Sequence, residues 1–170
     1  MTQDQKIVAA GAASGVLAMI ASVTAIYRCW PVNPELTDVA SRLAYALQMN
    51  AVAILPLLVG IVFVGNGRFL SEAIDPTLNK ESVATQINGR VVDNTLQQFI
   101  LFAVGTLALS AKLSGPQMRA IPAVTLVFVV GRLAFWIGYR MHPLYRAFGM
   151  AATAYLNIGL LGFALWKFLA

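Results

Sequence analysis

Five separate stretches of this chain are long and apolar enough to cross a lipid bilayer, and this constraint settles the fold class ahead of any other feature. A helical crossing takes about 20 mainly apolar residues. Residues 7–27, 43–65, 94–111, 120–139 and 147–166 approach or exceed that length, and only the fourth stretch contains a charge, Arg132. Composition agrees: 59% of residues are hydrophobic and 11% charged, whereas about a quarter are charged in a soluble domain. Such a chain needs lipid as its solvent. The sequence therefore predicts an all-α, multi-pass integral membrane protein.

The net charge of +5 does not point to nucleic acid, because the 12 Lys and Arg residues are scattered over helix ends instead of forming one basic face. They read as membrane-flank charge. A single cysteine, Cys29, excludes an internal disulfide framework and a cysteine-based metal cluster. His142, beside Pro143, has no His, Cys or acid at ligand spacing and reads as a surface histidine, so no metal site is expected. The first stretch has some marks of a cleavable signal peptide, with Lys6 ahead of it and Val23-Thr24-Ala25 near its end. It is long for a signal h-region, and a retained crossing is the better reading.

Pro31 and Pro34 break the chain between the first two spans, with Tyr27, Trp30 and Tyr45 as interfacial aromatics. Residues 66–88 are the longest polar stretch and are predicted as a water-exposed loop, with Glu72, Asp75 and Glu81 on its solvated face. Ser114-Gly115-Pro116 and His142-Pro143 mark the remaining turns. Five crossings place the N-terminus, the 66–88 loop and the 140–146 loop on one side of the membrane, side A. Side A holds Lys6, Arg68, Lys80, Arg90, Arg140 and Arg146, against Arg28, Arg42, Lys112, Arg119 and Lys167 opposite. The small excess favours side A as cytoplasmic, in a bacterial inner membrane or an endomembrane.

Polar side chains gather at the side A depth. Arg90, Asn94 and Gln97 fall at i, i+4 and i+7 and form one stripe on a helix, with Gln98 beside it. Arg132, Phe135 and Tyr139 repeat the pattern on the fourth span, Arg146 opens the fifth, and Arg68 closes the second. A central intramembrane charge facing lipid costs about 2.5–3.5 kcal/mol on insertion scales, so these groups belong against a bundle interior or a wet cavity. Interhelical hydrogen bonding and snorkelling to headgroups are the structural alternative, and the better one for Arg68, Arg140 or Lys80 taken singly. Several guanidinium forks together suit a ligand with more than one carboxylate. An arginine beside a thiol also favours the thiolate.

Two motifs carry a family resemblance. Arg90-Val-Val-Asp-Asn94-Thr-Leu-Gln97-Gln98-Phe99 resembles an Arg-x-x-x-Asn-x-x-Glu segment, and Gly131-Arg132-Leu-Ala-Phe135-Trp-Ile-Gly138-Tyr139 with Arg146-Ala-Phe-Gly149 resembles an Arg, Gly-Tyr and Arg-x-x-Gly series. Together they are similar to the MAPEG family, membrane-associated proteins of eicosanoid and glutathione metabolism that include microsomal glutathione transferases and leukotriene C synthase. The resemblance implies a four-helix transmembrane domain in residues 43–170 that forms homotrimers. Residues 1–42 would add one N-terminal transmembrane helix and a connecting turn, giving five helices in total. It further implies glutathione, as cosubstrate, bound between subunits near the cytosolic side by Arg90, Asn94, Tyr139 and Arg68, with Gln97 and Arg132 completing the binding set and Arg146 activating the thiol.

The activity implied is a glutathione-dependent transferase or peroxidase acting on a lipophilic electrophile that enters from the bilayer. The alternative is a non-catalytic member that binds a lipid or a partner protein on the same scaffold. Two departures favour the alternative: Gln97 stands where the family has an acid, and Phe135 where several active members have Tyr or His.

Overall fold

The computed structural model describes residues 1–78 and 80–169. It contains helices α1 (Gln3–Cys29), α2 (Val39–Ala53), α3 (Leu55–Phe69), α4 (Val83–Lys112), α5 (Ala120–Met141) and α6 (Ala147–Leu169), with short 3-10 turns at Pro76–Leu78 and Gly115–Arg119. No strand occurs among the described residues. Five helical segments are long and apolar enough to span a membrane, and the second of them, Val39–Phe69, is α2 and α3 in series.

Local chemistry explains where the helices start. Thr2 and Gln5 form a reciprocal capping box at α1. The Asp38 carboxylate accepts the Ser41 N–H at 2.9 Å at the head of α2, and this bond holds the carboxyl below the usual carboxylate range. Between α2 and α3 the regular bonding is interrupted at Ile54, because Pro56 has no N–H to return to the preceding turn. The single span expected over 43–65 is therefore a longer, interrupted one.

The polar stretch 66–88 also differs from expectation. α3 continues to Phe69, and α4 begins at Val83, where the Ser82 hydroxyl accepts the Thr85 N–H. Asn88, expected in a solvated loop, is a buried α4 residue whose Oδ1 accepts from Trp136 Nε1 at 2.9 Å and Arg140 Nη1 at 3.2 Å. Glu81 is likewise no free surface acid, since Arg68 Nε donates to it at 2.6 Å.

The core is built by α4, α5 and α6 with α2 against them. Phe102 and Phe128 stack at its centre with ring centroids 4.4 Å apart. Amide and hydroxyl bonds lace the helices together: Thr106 Oγ1 donates to Asn50 Oδ1 at 3.2 Å, and Asn157 Nδ2 donates to Gln98 Oε1 at 2.8 Å. α5 and α6 cross at close range. A Cβ at Gly149 would strike the backbone N of Phe135 and the carbonyl O of Gly131. α1 lies outside this bundle, its Gly11 beside Ala147 and its buried Gly15 against the Phe148 backbone, so it runs parallel to α6.

Candidate functional site

On the helices, α4 brings Arg90 and Asn94 to the side A end, α5 brings Phe135 and Tyr139, and Arg146 with Met150 comes from the start of α6. These six residues line a cavity of about 400 Å³. Tyr139 sits between the two cations: Arg90 Nη1 donates to its hydroxyl at 3.5 Å, and the Arg146 guanidinium lies 4.7 Å from its ring centroid. Both arginines are exposed while Tyr139 is buried, so the guanidinium groups face the opening and the ring forms the wall.

Beneath the wall lies Arg132, 1% exposed. Its Nη2 donates to Asn94 Oδ1 at 2.9 Å and to Thr95 Oγ1 at 3.0 Å, its Nε to Thr95 Oγ1 at 3.2 Å, and its Nη1 to Thr153 Oγ1 at 3.1 Å. The guanidinium also stacks 4.2 Å from the Phe135 ring centroid. This one side chain ties α4, α5 and α6 together, and its fork is what allows it to reach three oxygens at once. All its partners are neutral.

The charge balance of the site is therefore one-sided. The ion pairs among the described residues, Arg68 with Glu81 and Lys80 with Glu72, lie in and beside the segment that joins α3 to α4. Arg90, Arg132 and Arg146 have no carboxylate partner there. A cavity walled by two uncompensated cations, with a third buried beneath it, attracts anions and rejects cations.

Of the residues singled out from sequence, the structure brings together Arg90, Asn94, Tyr139 and Arg146, with Phe135. It places Arg132 below the cavity as the support of Asn94. Arg68 is turned to Glu81 and does not line the cavity. Gln97 is exposed on the outer face of α4, while its neighbour Gln98 is buried against Asn157. Thr95 and Thr153 were not anticipated, although Thr153 lies two helical turns beyond Arg146 on the same face. Asp93 was also overlooked. Gln86, Arg90, Asp93 and Gln97 fall at i, i+4, i+7 and i+11 and are all exposed, making an open polar stripe along a membrane-spanning helix.

The sequence profile of the MAPEG family matches residues 43–166, which include every cavity residue and leave α1 outside. The chain belongs to the MAPEG family. Among curated MAPEG-like relatives, transmembrane protein 79 of Bos taurus is 28% identical over 135 residues, 79% of this chain and 33% of that protein. Transmembrane protein 79 of Mus musculus is 27% identical over 120 residues, 71% of this chain and 30% of that protein. The chain spans about a third of the length of these relatives. No solved structure gives a significant match.

Within this MAPEG chain the motif residues have separable physical tasks. Arg132 and Gly149 set how α4, α5 and α6 meet. Arg90, Asn94, Tyr139 and Arg146 present their polar groups to the space so formed.

Proposed function

We propose that the cavity binds glutathione and that the protein is an integral membrane glutathione-dependent transferase or peroxidase acting on a lipophilic electrophile from the bilayer. The observation that carries this reading is the convergence of Arg90, Arg146 and the Tyr139 hydroxyl on one cavity above a third buried cation, with no acid among its lining residues. Glutathione offers two carboxylates to guanidinium forks and a thiol to be ionised. Arg146 stabilises the thiolate, Tyr139 donates a hydrogen bond to the ligand, and Arg90 with Asn94 holds its backbone and carboxylates. In transfer, the sulfur lone pair forms the new S–C bond and the electrophile's leaving group departs with its electron pair, the thiol proton having gone to water. In the peroxidase variant, two glutathione molecules give up two protons and two electrons to a hydroperoxide, yielding an alcohol, water and the disulfide.

The open stripe Gln86, Arg90, Asp93, Gln97 supports contact with a further copy of the chain, a homotrimer by the family resemblance, because polar side chains on a membrane helix are tolerated against protein or water and not against acyl chains. A neighbouring copy over this face would bring Gln97 toward the ligand of the adjacent subunit. Charged hydrogen bonds are worth about 1.5–3 kcal/mol against about 1 for neutral ones, so Gln97→Glu should tighten glutathione binding by about two- to thirtyfold in the assembled protein. Native mass spectrometry with glutathione reads stoichiometry and binding together.

The deciding measurement is the ultraviolet thiolate signal of glutathione added to purified protein. The signal should appear with the unmodified protein and be lost in Arg146→Ala. Its absence from the former, or its persistence in the latter, removes the proposed chemistry. The second reading, a non-catalytic lipid- or partner-binding member, is favoured by the lack of any acid in the cavity to meet glutathione's ammonium. Lipid binding without glutathione protection against thermal unfolding would select it.

A further inference from the structure

A second concavity lies at the opposite end of the bundle, between α1 and the core helices. This groove of about 460 Å³ runs between α1, α4, α5 and α6, with Met19, Val23 and Tyr27 on one wall and Tyr155, Gly159 and Phe163 on the other. One wall is α1, which lies outside the residues matched to the family, so the groove exists because of the added helix. Its lining is overwhelmingly apolar except at the end near the start of α5. There the Arg119 guanidinium lies 4.3 Å from the Tyr27 ring centroid, and Lys167 Nζ lies over Trp166 at 5.3 Å and the lining Phe163 at 5.8 Å, so two lining aromatics each have a cation beside them. Neither cation pairs with a carboxylate among the described residues, and the buried Arg119 Nε has no hydrogen-bond partner there.

We propose that this groove holds one acyl chain of an anionic phospholipid, with the phosphate at the cationic mouth. An apolar trough inside a membrane span is filled by hydrocarbon, and cations at its headgroup end select the charge of the lipid whose tail enters. A second copy of the chain is the poorer occupant: a symmetric contact through this face would bring like cations, Arg119 and Lys167, toward their counterparts. Tyr27, held under Arg119, presents its hydroxyl-bearing end at the same level, as interfacial tyrosines do.

The test uses native mass spectrometry of the full chain in detergent, titrated with dioleoyl phosphatidylglycerol or dioleoyl phosphatidylcholine. One phosphatidylglycerol per chain should be retained, with a preference over phosphatidylcholine on the order of tenfold. The double variant Arg119→Gln/Lys167→Gln should hold the two lipids equally. Gly159→Leu should lose both, since Gly159 lines the groove, a Cβ there meets nothing within 4 Å, and the added side chain obstructs the acyl chain. Equal retention of the two lipids by the unmodified protein overturns the proposal, and that arm needs no variant to fold. Unchanged lipid retention in Gly159→Leu also overturns it. So does an altered number of chains per assembly in that variant, which would assign the groove to a second copy.

Discussion

Replacing Arg132 by leucine should destabilise the protein by ~2 kcal/mol or more, because three oxygens, two of them buried, lose their donor together and each unpaired buried group costs about 1–3 kcal/mol. Asn94 Oδ1, Thr95 Oγ1 and Thr153 Oγ1 all accept from the one guanidinium. Arg132→Lys is the sharper variant. It preserves the charge and most of the length but replaces a planar fork by a point donor, which cannot serve oxygens on α4 and α6 simultaneously. Thermal unfolding in detergent should therefore rank the native protein well above lysine, with leucine lowest. If lysine equals arginine, charge and not geometry holds the three helices. If leucine is as stable as arginine, the cation is retained for the cavity above it, at no benefit to the bundle.

Gly149→Ala should be nearly as damaging despite adding one carbon. The new Cβ falls on backbone atoms of Phe135 and Gly131, which no side-chain rotation can move, so α5 and α6 must separate. Overpacking of this kind costs about 1–3 kcal/mol and sometimes more. The separation also carries Arg146, less than one turn before Gly149, away from Tyr139. Ligand binding should thus fail at temperatures where the helices are still intact by circular dichroism. Gly162→Ala, on the same helix with open space at its Cβ, is the matched control and should leave melting temperature and binding unchanged. A Gly149→Ala protein that melted with the control would show that the crossing can relax.

The five spans were legible because lipid imposes a length of apolar sequence that few other requirements mimic. The beginning of α4 was not. Its first turns are polar, so hydropathy places them in a loop, whereas Ser82 as a cap and the regular spacing of Gln86, Arg90 and Asp93 were the signals of a helix. Arg90, Asn94, Tyr139 and Arg146 could be grouped from helical periodicity and span order alone. Whether Gln97 or Gln98 turns inward could not, since adjacent residues on a helix differ by about 100° and both are amides; the partner that decides it, Asn157, lies on α6. Arg68 was assigned by depth in the membrane, and Glu81, across the intervening loop, is closer to hand. Depth is readable from a sequence, but direction depends on the neighbours that tertiary packing supplies.

The docking of α1 has a bearing on biosynthesis. Helix α1 is translated before α6 yet rests chiefly on it, through Gly11 and Gly15 against Ala147 and Phe148. Until α6 is made the larger part of the α1 seat is missing, and that strip of its apolar surface is satisfied by lipid. Its full docking therefore waits on the synthesis of α6, and a nascent chain arrested before that helix would hold α1 only by its narrower contact with α5.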